Sequence, residues 1–287
     1  MKNKIRLSTI IVLILACLSL YSSEEIARTS PYKVGDFEVY VLVEGERSGN
    51  TGILLNASEE LLERYIPEEG FNHTTNAFLI KTSEQIILVD TGTGSQGTIL
   101  NKIKEIGIES TEIDIVLLTH LHFDHFGGLA TEGVANFPNA KIYVSTKEHE
   151  YFTHENANQL AIDVLNIYSE RLVIFEPSEL GSDYTELISG VIAIANYGHT
   201  PGHTIYLLEN KDEKLIIAGD FLHLALVQFA HPEISATFDV DPETAAISRK
   251  AILEYAANKQ IPIGGMHIVY PAIGNVSKDN GGFRLEK

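Results

Sequence analysis

The sequence predicts an α/β protein whose strands deliver polar side chains at their carboxyl ends, and three observations lead there. Short apolar runs rich in Val, Ile and Leu alternate with stretches that carry helix start signals. Four of those runs end respectively in Asp90, in Thr119-His120, near His199 and in Asp220, and a fifth short run precedes His267. The run at 113–118 empties into Thr119-His120-Leu121-His122-Phe123-Asp124-His125-Phe126-Gly127-Gly128. Where helices flank a sheet, functional groups collect beyond the carboxyl ends of the strands, so the five ends are expected to meet at one site.

Taken in order, residues 37–43 read as a first strand, and 58–65 as a short helix that opens on Ser58, carries acids in its first turn and stops before Pro67. Residues 75–80 and 85–90 form a hairpin around Thr82-Ser83-Glu84, and the second arm runs into Asp90-Thr91-Gly92. An isolated Asp-Thr-Gly is ordinarily a turn; here its place at a strand end gives it weight. A helix at 97–106 precedes the strand 113–118. Beyond the His-rich loop come a strand at 141–145, helices at 146–154 and 158–168, and strands at 172–175, 191–196, 204–208 and 215–218. Asp241-Pro242-Glu243 is a strong helix start, with Asp as cap, Pro at the first helical position and Glu in the first turn; that helix should reach about Asn258.

Length and composition set the bounds. With 287 residues, 44% of them hydrophobic, the chain has enough apolar material for one large core, and no linker divides it. We expect a single domain over 30–287. Residues 1–23 read as a secretory signal peptide: Lys2, Lys4 and Arg6 precede the apolar Ile10-Ile11-Val12-Leu13-Ile14-Leu15-Ala16, which is too short to span a bilayer. We therefore expect export, to a periplasm or to the cell envelope. The sole cysteine, Cys17, follows Ile14-Leu15-Ala16 in the manner of a lipoprotein cleavage box. Lipidation there would give the only membrane attachment; removal with the segment is the alternative. The net charge of −18 deepens to −21 once three cations and no acids leave with the segment. Such a surface opposes nucleic acid as partner or substrate, and a small-molecule substrate is expected. Oligomeric state is left open.

The stretch 119–128 carries the chemistry. A single histidine after a strand would read as solvated surface. Four ligand-type residues in six positions, His120, His122, Asp124 and His125, reverse that reading, because paired imidazoles with a carboxylate suit zinc or a similar ion. In extended backbone His120 and His122 point to the same side, where one ion can take both. Gly127-Gly128 is expected to turn the chain so that Asp124 and His125 reach a second position.

These residues resemble the metallo-β-lactamase superfamily, whose H-x-H-x-D-H signature stands here as His120, His122, Asp124 and His125. Asp90, His199, Asp220 and His267 match its other elements in order, so the resemblance covers nearly the whole chain after the first segment. It implies a four-layer αββα sandwich with the site at one edge. The pattern Gly265-x-His267-x-x-x-Pro271-x-x-Gly274, with Asp220-Phe221-Leu222-His223 and Asp239-Val240-Asp241-Pro242, is most similar to the methyl parathion hydrolase and quorum-quenching lactonase branch. Carried over position by position, His120, His122 and His199 would hold one metal, Asp124, His125 and His267 a second, and Asp220 would bridge. Asp90 would orient the ligand loop. His199 is preferred to His203, which is expected to be a structural, hydrogen-bonded histidine. His223 could line the pocket or be a satisfied interior group, and His73, His149, His154 and His231 are expected to be ordinary surface or packing residues.

The resemblance implies two divalent ions per chain, zinc first, with manganese, iron or cobalt as alternatives, and catalytic roles for Asp124 and Asp220. Two such ions, two carboxylates and a bridging hydroxide leave about one positive charge, which favours a transition state that gains negative charge. Lactone or carboxylic-ester hydrolysis of the acyl-homoserine lactone type is the first expectation and phosphotriester hydrolysis the alternative. β-Lactam hydrolysis ranks lower because β-lactamases of the superfamily generally lack a bridging aspartate. Glyoxalase-type thioesterases differ in their carboxyl-terminal region, and a non-catalytic metal-binding protein would have little use for a bridging carboxylate.

Overall fold

The computed structural model describes residues 30–286; the expected export segment with Cys17 lies outside the described residues. The first half of the chain supplies β1 (Tyr32–Val34), β2 (Phe37–Ser48), β3 (Asn72–Lys81), β4 (Ile86–Val89), β5 (Ile115–Leu117), a small ribbon β6 (Ala130–Thr131) and β7 (Val134–Ala135), then β8 (Lys141–Ser145) and β9 (Leu172–Phe175). The second supplies β10 (Glu186–Ile188), β11 (Val191–Ala195), β12 (Thr204–Asn210), β13 (Glu213–Ile217), β14 (Ile263–Gly264), β15 (Ile273–Asp279) and β16 (Gly282–Glu286). They form two seven-stranded sheets, in the order β1-β2-β3-β4-β5-β8-β9 and in simple chain order β10 to β16.

Alternation along the strands explains why the sheets are buried on both faces. In β3, Phe78 and Ile80 face the opposite sheet, whereas Ala77 and Leu79 face outward to helices. In β4 and β5 the pattern repeats, with Ile87, Val89, Ile115 and Leu117 inward and Leu88 and Val116 outward. Strands apolar on both faces demand cover on both. Ile99 and Ile103 of α2 (Ile99–Glu105) and Ala161, Val164 and Leu165 of α5 (Gln159–Ile167) supply it on the first sheet. Ile252, Leu253 and Ala256 of α7 (Pro242–Lys259) supply it on the second. The result is the αββα layering. Three-residue β5 pairs in parallel with both β4 and β8, and β13 pairs in parallel with β14, so those strands deliver their carboxyl ends to the same edge.

Local signals act as the side chains dictate. Ser58 accepts from Leu61 N at 3.2 Å to start α1 (Glu59–Tyr65), and Asp241 accepts from Thr244 N at 3.0 Å to start α7. Thr82 Oγ1 closes the β3–β4 turn by accepting from Glu84 N and Gln85 N. Differences are equally physical. The helix expected over 146–154 is regular only in α4 (Thr146–Glu150) and then widens into a π-helical turn at Tyr151–Glu155. There the Thr153 hydroxyl donates to His149 O at 2.6 Å, a back-bond that competes with the helix ladder. Short helices α3 (Phe123–Phe126) and α6 (Ala225–Gln228) complete the set.

Candidate metal centre

β4 ends at Val89 and hands on to Asp90; β5 ends at Leu117 and hands on to His120. Loops after β11, β13 and β14 carry His199, Asp220 and His267 to the same edge. All seven expected ligands come together there, as two three-residue groups joined by overlapping groups around Asp220, one of which also takes in His223. In the first, His120 Nε2, His122 Nδ1 and His199 Nε2 form a triangle with sides of 3.1, 2.9 and 3.1 Å. Three nitrogens on a tetrahedral ion at ~2.0–2.1 Å stand about 3.3 Å apart, so the triangle is close to the size zinc requires. In the second, Asp124 Oδ2 lies 3.7 Å from both His125 Nε2 and His267 Nε2.

Asp220 sits between the groups. Its Oδ2 is 3.5 Å from His199 Nε2, 3.8 Å from His120 Nε2 and 3.0 Å from His267 Nε2. Its Oδ1 is 3.3 Å from His125 Nε2. Those last two atoms, Asp220 Oδ1 and His125 Nε2, are buried and make no hydrogen bond. An unpartnered carboxylate oxygen facing an unpartnered imidazole nitrogen is an arrangement a cation would satisfy, and the donor set fits a pair of divalent ions.

The remaining ring nitrogens are held from behind. His125 Nδ1 lies 2.7 Å from Asp90 Oδ2, which also accepts from Thr119 Oγ1 at 2.7 Å, while His120 Nδ1 lies 3.0 Å from that hydroxyl. Asp90 thus orients one histidine of each group, and it occupies a left-handed backbone conformation at φ 59 to do so. His199 Nδ1 donates to Asp239 Oδ1 at 2.9 Å and His267 Nδ1 to Thr74 O at 2.7 Å. Asp239 is in turn held by Ala236 N at 2.8 Å and Arg249 at 3.4 Å. With the outer nitrogens donating, the inner ones present lone pairs inward. Burial holds His120 and His199 well below the usual imidazole range and pulls His122 down to about 4, so all three are neutral at pH 7. Burial pushes Asp220 the other way, but the His125 and His267 imidazoles outweigh it and hold the carboxyl well below its ordinary value.

Some expectations change in detail and others hold. Gly127 has right-handed helical dihedrals, φ −58, so no special turn conformation is needed; what Gly128 supplies is close approach, since a Cβ there would stand 2.0 Å from Thr91 O. His203 is fully buried with Nδ1 donating to Asn196 O at 2.9 Å and Nε2 accepting from Asp220 N at 3.0 Å, a satisfied structural histidine. His223 lies 3.3 Å from Asp220 Oδ2 and lines the adjoining cavity, yet its buried Nδ1 has no partner. His73 is a packing residue, as expected, but what it packs on is a ligand candidate: its ring stacks on His267 at 4.6 Å, and the His223 ring also stacks on His267, at 5.1 Å. Sequence reasoning did not reach Thr74, Asp239 or Arg249 as supports, because only closure of the fold brings them to the histidines.

Comparison with known proteins agrees with this geometry. The sequence profile of the Metallo-beta-lactamase superfamily matches residues 71–260, two thirds of the chain and every expected ligand but His267. The chain belongs to the metallo-β-lactamase superfamily. Within that superfamily it is 28% identical over 212 residues to N-acyl homoserine lactonase AiiA of Bacillus thuringiensis subsp. kurstaki, covering 65% of this chain and 77% of that one. The structure of AidC, described as a dizinc quorum-quenching lactonase with a product homoserine bound, superposes with a TM-score of 0.80. Its identity is 25%, over 90% of this chain and 96% of that one. The superfamily hydrolase AbOPH superposes with a TM-score of 0.77 at 29% identity, over 89% and 96% of the two chains.

Proposed function

We propose that this metal-dependent hydrolase opens a lactone or carboxylic ester of the acyl-homoserine lactone type at a pair of divalent ions. The observation that carries the reading is Asp220, a buried carboxylate within 3.8 Å of ligand nitrogens from both groups, with one oxygen unpartnered. His120, His122 and His199 would hold one ion, Asp124, His125 and His267 the other, and Asp220 would touch both. Zinc suits the mixed imidazole and carboxylate donors. Bound there, the ions would supply Lewis acidity toward a carbonyl and a hydrolytic nucleophile at neutral pH.

The protein's own part is to hold, shape and exclude. Neutral His120, His122 and His199 with ionised Asp124 and Asp220 keep the edge competent for cations, while Asp90, Asp239 and the Thr74 carbonyl fix ring orientation. A cavity of about 620 Å³ opens from His223 and His267 and runs between Tyr65, Phe71, Phe229, Ile268 and Phe283. Arg64, Asn72, Asp279 and Arg284 also line it, and its apolar stretch suits the acyl arm of a substrate whose polar ring lies at the metal end. The names of the lactonase relatives AiiA and AidC support the same class.

The test is a side-by-side kcat/KM determination on N-acyl homoserine lactones and a neutral aryl phosphotriester, using zinc- and manganese-loaded protein. Strong preference for the lactone is expected. Preference for the phosphotriester, or no turnover of either above solvent background, contradicts the proposal.

A further inference from the structure

Glu148 is a buried carboxylate outside both ligand groups and is 1% exposed. It sits on α4, directly after β8, and takes no part in the chemistry described above. Its oxygens reach two separate loops. Oε1 accepts from Leu121 N at 2.7 Å, the peptide between His120 and His122. Oε2 accepts from Thr200 Oγ1 at 2.7 Å and from Gly202 N at 3.0 Å, in the loop that follows His199.

The surroundings are built for this reach. A Cβ on Gly202 would stand 2.1 Å from Glu148 N, so only glycine lets the His199 loop settle on the backbone of α4. Ser145 Oγ donates to Gly202 O at 2.6 Å and locks the same loop from the other side. A carboxylate with three donors converging on it is satisfied as an acceptor only. Burying such a group is costly, and a Leu or Met would fill the space more cheaply. What an apolar residue could not do is tie Leu121 and Thr200 to one rigid point.

We propose that Glu148 is a positioning residue for the three-histidine half of the centre, setting the spacing of His120, His122 and His199 through the two loops that bear them. The inference rests on the ligand assignment proposed above. Its effect should be confined to one ion, because His125 and His267 are braced separately by Asp90 and the Thr74 carbonyl.

The experiment titrates zinc into metal-free protein against a chromophoric chelator. Wild-type protein should bind two ions in two resolved steps, assigned by which step His199→Ala and which step His267→Ala abolishes. In Glu148→Gln the amide places a donor against a donor, and the step that His199→Ala abolishes should weaken by about 10- to 100-fold while the other holds within about twofold. Cobalt loading should show the matching loss of one of two absorption contributions, and turnover should recover at excess zinc. If Glu148→Gln fails to fold, Thr200→Val decides: it leaves the carboxylate two donors and should weaken the same step alone. Unchanged affinities in the folded variants, or equal weakening of both steps, overturns the proposal. Failure of wild-type protein to bind two ions instead overturns the ligand assignment beneath it.

Discussion

His203 offers a sharp test of how protonation is wired behind the centre. Both its nitrogens are satisfied only in the neutral ring, with Nδ1 donating to Asn196 O and Nε2 accepting from Asp220 N. Protonation would set a new N–H against the Asp220 N–H. Burial, first of all, pulls its pKa down from the ordinary 6.5 to about 4. A histidine depressed in the folded state contributes stability that is fully present above about pH 6.5 and is lost as pH falls toward 4. About 2.5 units at ~1.36 kcal/mol each come to roughly 3 kcal/mol, of which about 2 kcal/mol has gone by pH 5. The assay is urea unfolding of metal-free wild-type and His203→Gln protein across pH 7 to 4. Metal must be absent because ion release would otherwise dominate the acid limb. Histidines common to both proteins cancel in the difference. The gap between the two unfolding free energies should therefore narrow by about 3 kcal/mol between pH 7 and pH 4. A gap that stays constant over that range refutes the reasoning.

Other consequences follow from the same geometry. Asp220→Asn should lower kcat/KM at least about 100-fold and reduce bound metal below two ions per chain, read by elemental analysis beside steady-state kinetics. Asp239→Asn removes the charge behind His199 and should weaken zinc binding by about 10- to 100-fold without changing the far-ultraviolet circular dichroism. Leu117→Ala opens a cavity between the two sheets, where Leu117 is fully buried, and should cost about 2–5 kcal/mol in urea unfolding of the zinc-loaded protein.

Much of the fold was legible because its signals are local. β-Branched runs mark β4, β5 and β13, the Asp241-Pro242-Glu243 start marks α7, and a strand end places each of Asp90, His120 and Asp220. The β15–β16 hairpin is missing from the sequence-based elements although Asn280-Gly281, with φ of 45 and 90, carries the turn signal for it. Other parts had no local signal. Nothing near Glu148 in sequence announces that Leu121 and Thr200 will donate to it, because these contacts form only when sheets and helices close. His73 looks like any strand histidine until Asn72–Lys81 lies beside the Met266-His267 loop. Supports from behind a site are written in tertiary distance, whereas ligands delivered by strand ends are written in sequence spacing.

The central claim is that seven residues hold two ions around Asp220. Anomalous diffraction from crystals of zinc-loaded protein tests it most directly. Two peaks are expected, one within ~2.0–2.2 Å of nitrogens from His120, His122 and His199, the other within that range of Asp124, His125 and His267, with an Asp220 oxygen on each. A single peak, or peaks held by other residues, would contradict the account.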